Sequence, residues 1–308
     1  MKSKTLEGKV VVVTGAGGGV GRHIALEAAA QGAQVVVNDL GGSVVGDDNG
    51  SSSAAEKVAA EIRDSGGVAV ANWDSVADWS GAHNIIQCAM DNFGSIDGVV
   101  NNAGNLRDKI FHRMEEKDFD AVINVHLKGS FNVSRAAVNH MKPKESGAFL
   151  HMTSTSGLIG NFGQANYCAA KLGIVGLSKA IALDTHKFKL RSNCIAPFAL
   201  TRMVETMPAD ADNPDNAAYM EKARKMEASK IAPFAVALLS DRAADVTGQV
   251  FGVRANEVYL FSQSRPIRTA HHSEGWTPEE ILETVLPGFR PSFYPLDRSR
   301  DVFSWDPM

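Results

Sequence analysis

Lys9-Val10-Val11-Val12-Val13-Thr14-Gly15-Ala16-Gly17-Gly18-Gly19-Val20-Gly21 joins an unbroken β-branched run to a cluster of glycines. Such a run makes a strand apolar on both faces, as in a sheet covered on both sides. The glycines permit a tight turn and let an anion come close to backbone N–H groups. From Gly21 to Gln31 the chain becomes alanine-rich and helical. The loop therefore ends a strand and opens a helix, and a helix N-terminus with bare amides is a ready phosphate site. Gly15, Gly17, Gly19, Val20 and Gly21 are the expected phosphate-side residues.

The alternation continues outward. Strands are expected over 33–39, 68–73, 96–101, 147–153 and 192–196, and helices over 53–65, 81–93, 119–138 and 164–184. This order predicts an α/β fold, a Rossmann-like doubly wound parallel sheet. Two segments interrupt it: the loop 41–53 and the proline-bearing stretch 208–215, followed by a helical 217–229. Loops of this length are usually functional or mobile. From Asn256 the alternation fails. Phe289, Phe293, Tyr294, Phe303 and Trp305 stand among prolines there. So many aromatics predict an irregular extension packed on the body or on a neighbouring subunit rather than a disordered one. The expected division is a catalytic domain over 1–255 and a C-terminal extension over 256–308.

Composition narrows the function classes. A net charge of -4 offers no basic field for nucleic acid or anionic lipid. Cys88, Cys168 and Cys194 lack metal-site or CxxC spacing and read as reduced thiols. The histidines offer no metal pair, so no metal is expected; His126 and His151 read as locally packed. No apolar run is long enough for a membrane span or signal core, which predicts a cytoplasmic protein without stable membrane insertion.

Asp39 closes the second strand, where a carboxylate can accept the ribose hydroxyls and repel a 2′-phosphate; this favours NAD over NADP. Asp74, with Ser75, follows the third strand and is placed to meet the adenine. Asn102, Ala103 and Gly104 follow the fourth strand, where a crevice forms at the strands' carboxyl ends. Tyr167 and Lys171 are one helical turn apart and share a face. A phenol ionises near pH ~10, and a neighbouring ammonium lowers that value. Ser154, thirteen residues before Tyr167, is positioned to hold a substrate oxygen. The helix after Gln164 is rich in small residues (Ala169, Ala170, Gly173, Gly176, Ala180), which predicts close packing between subunits in a homodimer or homotetramer.

Together, Thr14 to Gly21, Asp74, Asn101 to Gly104, Asn124, Ser154, Tyr167, Lys171, and Pro197 with Thr201 resemble the motif series of the short-chain dehydrogenase/reductase family over roughly residues 7–255. The resemblance implies an NAD-dependent enzyme acting on a small-molecule alcohol. Tyr167 would be the general acid/base, with Lys171 tuning it and binding the nicotinamide ribose. Ser154 would hold the substrate oxygen and Asn124 a proton-relay water. Pro197 and Thr201 would contact the nicotinamide. Retention of Asn124, Ser154, Tyr167 and Lys171 argues against a non-catalytic dinucleotide-binding regulator.

Within the family, the stretches 37–42, 101–108, 125–131 and 160–167 resemble the (3R)-hydroxyacyl-CoA dehydrogenase units of peroxisomal type 2 multifunctional enzymes, which also act on 17β-hydroxysteroids. The implied substrate is a (3R)-3-hydroxyacyl-CoA, with a hydroxysteroid or other bulky secondary alcohol as the alternative. Arg107, Lys109, Arg113, Lys222, Arg224 and Lys225 are the cations available to CoA. Met203, Met207, Met220 and Met226 are available to line an apolar pocket. The chain departs from the pattern at Asn105, which replaces an apolar residue; at Phe198, where glycine is common; in the insertion 208–215, which the resemblance places in a substrate lid; and in the tail from Arg265.

Overall fold

Val11 and Val13 enter one apolar core while Val10 and Val12 enter another, as alternation along a strand requires. The computed structural model describes residues 4–42, 53–199 and 225–308. Val10–Thr14 is β1 and Gln34–Asn38 is β2, in which Val35 and Val37 oppose Val36 in the same way. The other strands are β3 (Val68–Asn72), β4 (Gly98–Asn101), β5 (Gly147–Met152), β6 (Leu190–Phe198), β7 (Val250–Arg254) and β8 (Glu257–Leu260). They form an eight-stranded sheet in the order β3-β2-β1-β4-β5-β6-β7-β8. Every pairing is parallel except that of β8, which runs antiparallel on β7.

Helices cover both faces. One core takes apolar residues from α1 (Gly19–Ala30), α2 (Ser53–Asp64) and a helix at Ala232–Leu239. The opposite core takes Ile85 and Ile86 of α3 (Trp79–Phe93) with Val133 and Met141 of Gly129–Met141. Each fully buried valine of β1 contributes roughly 1.5–3 kcal/mol, so the run that decides the fold also anchors it. A buried polar chain crosses the sheet centre. Asn101 Nδ2 donates to Ser134 Oγ at 2.9 Å and lies 3.2 Å from His151 Nδ1, and His151 Nε2 lies 3.2 Å from Ser192 Oγ. Burial pushes His151 down to about 3, so its ring is neutral. Among the described residues, no helix is long and apolar enough to cross a membrane.

Two expectations need correction. The helix expected over 119–138 is three pieces: α4 (Glu116–Ile123), a π-helical turn (Asn124–Lys128) and α5 (Gly129–Met141). A π turn adds a residue to the helix while keeping it continuous, so apolar periodicity hides it. Sheet and helix also resume where the alternation was expected to fail. The β7–β8 hairpin crosses position 255 through Ala255, whose φ is +51°, and Asn256. Of the segment 217–229, only the end is described; a 3₁₀ turn follows at Ala228–Ile231. The lid at 208–215 lies outside the described residues, as does all but the edge of the loop 41–53.

Candidate active site

The polypeptide leaves β1 toward β2 on one side and meets β4 on the other, so a crevice opens at the carboxyl ends of these strands. A cleft of about 450 Å³ occupies it. Of the residues expected on the dinucleotide side, Gly15, Gly19, Val20, Asp39, Asp74 and Ser75 line this cleft. Asn102, Ala103, Gly104 and Pro197 line it too, and so do Ser154, Tyr167 and Lys171. Gly17 and Gly21 stand behind the lining and shape it. Thr201 lies outside the described residues.

The glycine loop is held by side chains at both ends. Gly15 has φ +62°, and a Cβ there would sit 2.7 Å from the Ala103 backbone. A Cβ on Gly21 would come within 2.3 Å of the Gly15 carbonyl oxygen. Asn102 Nδ2 donates to the carbonyls of Thr14 (3.0 Å) and Gly15 (2.9 Å), tying the loop to the end of β4. Gly18 caps α1 (Gly19–Ala30) with no side chain, leaving its first amides to an anion. Asp39 Oδ2 accepts from Gly17 N at 2.8 Å and Oδ1 accepts from Gly41 N at 2.7 Å. The carboxylate is thereby fixed at the cleft wall. Asp74 is fixed likewise, accepting from Asn72 (2.7 Å) and Asn84 (3.1 Å). Bare amides, a close-approach loop and a fixed carboxylate fit a dinucleotide.

The other end of the cleft is built by β5, the short helix α6 (Thr155–Leu158) and α7 (Ala165–Thr185). Ser154 caps α6, its Oγ accepting from Ser156 N at 3.1 Å, and it is close enough to Tyr167 to favour the ionised phenol. Lys171 Nζ donates to the Met152 carbonyl at 2.6 Å and lies 5.4 Å from the Tyr167 ring centroid. Thr153 Oγ1 donates to the Lys171 carbonyl at 2.6 Å, so α7 is clamped to the end of β5. Burial dominates the electrostatics. It pushes the Tyr167 phenol up to about 12 against the opposing pull of Ser154. It also pushes the Lys171 amine down to about 7. Lys171 is itself disfavoured as a cation in the same dry pocket, so near neutral pH only part of its charge is present to act on the phenol.

Asn124 is not among the cleft-lining residues; His126 is. Residues two apart point to opposite sides of a helix, so with His126 turned toward Tyr167 the Asn124 side chain faces away from it. The His126 and Tyr167 rings meet edge-on at 5.3 Å and 86°. His126 Nε2 lies 2.8 Å from Asn105 O and 3.1 Å from Asn105 N. Its Nδ1 is buried without a hydrogen-bond partner, and burial, reinforced by Lys171, holds the ring down to about 3. Gly104 makes room for it, as a Cβ there would touch His126 Cε1 at 2.3 Å. The signal in the sequence was a histidine inside an apolar helical stretch. Two more wall residues were missed. Asn161 donates to Gln164 Oε1 (3.0 Å), and Gln164 donates to Asp108 Oδ2 (2.7 Å); both amides line the cleft just before the Tyr167 helix.

The cations offered to CoA fare less well. Lys109 Nζ pairs with Asp118 at 2.6 Å, and Arg107 lies 3.9 Å from the same carboxylate. Lys222 and Arg224, like Met203, Met207 and Met220, lie outside the described residues, and Met226 does not line the cleft.

A sequence profile for short chain dehydrogenases matches residues 9–212. The chain is 43% identical over 298 residues to peroxisomal multifunctional enzyme A of Dictyostelium discoideum, covering 96% of this chain and 63% of that one. It is 54% identical over 205 residues to the mouse peroxisomal multifunctional enzyme type 2, covering 66% of this chain and 27% of the other. The chain thus spans between about a quarter and under two thirds of these relatives. A crystal structure of a short chain dehydrogenase from Mycobacterium avium superposes with a TM-score of 0.82 at 39% identity, covering 94% of this chain and 97% of that one. Members of this family generally bind nicotinamide dinucleotides. The cleft's fixed carboxylate and its Ser154–Tyr167–Lys171 end are features of one and the same oxidoreductase fold: the chain belongs to the short-chain dehydrogenase family.

Proposed function

We propose that this chain is an NAD-dependent dehydrogenase that interconverts a secondary alcohol and its ketone, with a (3R)-3-hydroxyacyl-CoA and its 3-oxoacyl-CoA as substrate and product. One observation carries the reading. Ser154, Tyr167, Lys171 and His126 converge at one end of a cleft whose other end presents the Asp39 carboxylate. The similarity to multifunctional enzymes supports the substrate class; a 17β-hydroxysteroid is the second reading, on the same similarity.

Ser154 Oγ would hold the substrate oxygen and stabilise charge developing on it. Tyr167 would take the hydroxyl proton as the carbinol carbon gives up its hydride. When bound, the nicotinamide ring supplies the hydride acceptor and a positive field that the buried Tyr167–Lys171 pair lacks. Lys171 would hold the ribose. His126 takes the part expected of Asn124: its ring stands against Tyr167 at the cleft wall, where it would help carry a proton between Lys171 and solvent. Asp39 supports NAD over NADP, because a fixed carboxylate repels a 2′-phosphate. Pro197 would back the nicotinamide, and Thr201 keeps the same expected role.

Residues 1–255 are proposed as the catalytic domain and 256–308 as an extension to it. The α7 face supports self-association. Leu172 (53% exposed) and Leu183 (73%) stand on it with exposed Ala169, Gly176 and Ala180. Ala170 and Gly173 turn inward instead. A homodimer or homotetramer would cover that face, which light scattering would show as a mass of two or four chains. A reducing cytoplasmic location rests on three cysteines that all remain free; cell fractionation tests it, with peroxisomes the outcome raised by the relatives' names.

The deciding experiment follows NADH formation from NAD+ with a (3R)-3-hydroxyacyl-CoA and a 17β-hydroxysteroid at matched concentrations. Preference for the thioester is expected. Preference for the steroid would replace the substrate reading, and activity with NADP+ alone would replace the cofactor reading.

A further inference from the structure

The last residues of the chain return to the cleft and grip two of its walls. On one side, Ser299 N donates to Gly160 O at 3.0 Å, and Ser299 Oγ donates to Thr155 Oγ1. Thr155 directly follows Ser154 in the wall that also contributes Ser156 and Asn161 to the cleft. The Arg298 guanidinium covers the Phe162 ring at 5.3 Å, and its fork is held by both carboxylate oxygens of Asp301 (2.7 and 2.6 Å).

On the other side, Phe303 packs edge-on against Phe198 (4.8 Å) and Tyr259 (5.2 Å). Phe198 lies between Pro197 and Ala199, which both line the cleft, so alternation along β6 sends its ring away from the cleft to meet the tail. Trp305 completes this anchor. Its Nε1 donates to Glu257 Oε1 at 2.8 Å, and its ring covers the buried Arg254 guanidinium at 5.4 Å. Asn256 N donates to Met308 O at 2.8 Å.

No tail residue lines the cleft. The tail acts instead on what does, and its two anchors sit behind the Ser154 wall and behind the end of β6. We propose that residues 297–305 are a strap that sets the position of the Ser154 wall relative to the nicotinamide-side wall at Pro197, with Ser299 as a positioning residue acting on Ser154 through Thr155. The inference rests on the reading of Ser154 and Tyr167 as the reaction centre and deepens it. A hydroxyl fixed by both its own capping bond and a neighbour clamped from outside loses little freedom when substrate binds.

The test compares Ser299→Ala, Ser299→Thr and Phe303→Ala in the full-length protein. Hydrogen exchange of the protein alone is the first readout. In Ser299→Ala, amides at 155–163 should exchange about tenfold faster, while those of β1 and β4 stay at wild-type rates. Turnover is the second: kcat should fall about tenfold, with the KM for NAD unchanged and Ser299→Thr restoring both readouts. Phe303→Ala should loosen the Pro197 side and lower kcat in the same way. Unchanged exchange at 155–163 overturns the strap, and so does faster exchange throughout the sheet, which would mean a merely structural role. If Ser299→Ala loosens 155–163 alone in a protein that oxidises no alcohol, the strap's grip stands and the dehydrogenase reading fails.

Discussion

The two ends of the cleft are built differently. At the dinucleotide end, fixed groups are held mainly from the ends of the sheet strands and the turns that follow them: Asp39 by Gly17 and Gly41, Asp74 by Asn72 with Asn84 of α3, and the glycine loop by Asn102. At the alcohol end, positions depend on loops and on the tail, outside the sheet. His126 rests on Asn105, Gln164 on Asp108, and Thr155 on Ser299, 144 residues away. A site of the first kind is preorganised by the sheet itself and suits an invariant ligand. A site of the second kind can be retuned piece by piece, which suits a substrate that differs between relatives.

That contrast predicts where mutations act. The largest effect is expected at Lys171. Lys171→Met should lower turnover by about 10²–10⁴-fold, the range for loss of proton-transfer machinery, while leaving the glycine loop and Asp39 intact. Isothermal titration should still show dinucleotide binding; loss of all binding would mean that the two ends are one unit. His126→Ala should lower kcat by roughly tenfold or more, whereas Asn124→Ala should leave it near wild type. The reverse order would return the relay to Asn124.

Asp39→Ala addresses the other end. The ratio of kcat/KM for NAD+ to that for NADP+ should fall by about tenfold (about 1.4 kcal/mol), with the alcohol's KM unmoved. An unchanged ratio would assign cofactor choice elsewhere.

The last expected effect is on stability rather than on activity. Folded Lys171 titrates at about 7, against ~10.4 in an unfolded chain. Between these values the unfolded chain binds a proton that the folded protein does not, so the wild type should gain stability as pH rises from about 7 to ~10.4, by at most about 1.4 kcal/mol per pH unit. Below pH ~7 both states are protonated and the cost is at its full value. Urea midpoints for wild type and Lys171→Met should therefore diverge over that window. Parallel curves would place the Lys171 amine in water.

The same contrast explains what the sequence revealed. Alternating valines and the glycine loop disclosed the sheet because burial on two faces and a tight turn leave local signatures. Tyr167, Lys171, Ser154 and Asp39 were legible because spacing on one helix, or position at a strand's end, is also local. His126 was not, because a histidine inside an apolar helical stretch reads as local packing until the fold sets its ring against Tyr167. The β7–β8 hairpin escaped notice too. Its strands are short, and β8 alternates half-buried with exposed residues at the sheet edge, so no apolar run marks it. The tail's aromatics announced packing but not its target, since Phe198 and Tyr259 become neighbours of Phe303 only through the fold.

The most direct measurement is a paired one on Tyr167→Phe: NADH formation from a (3R)-3-hydroxyacyl-CoA, together with the dissociation constant for NAD+. Removing one hydroxyl from the Ser154–Tyr167 pair should abolish detectable turnover while changing NAD+ affinity by less than about threefold (~0.65 kcal/mol). Turnover comparable to wild type would contradict the assignment of Tyr167 as the acid/base and, with it, the reading of this end of the cleft as the reaction centre.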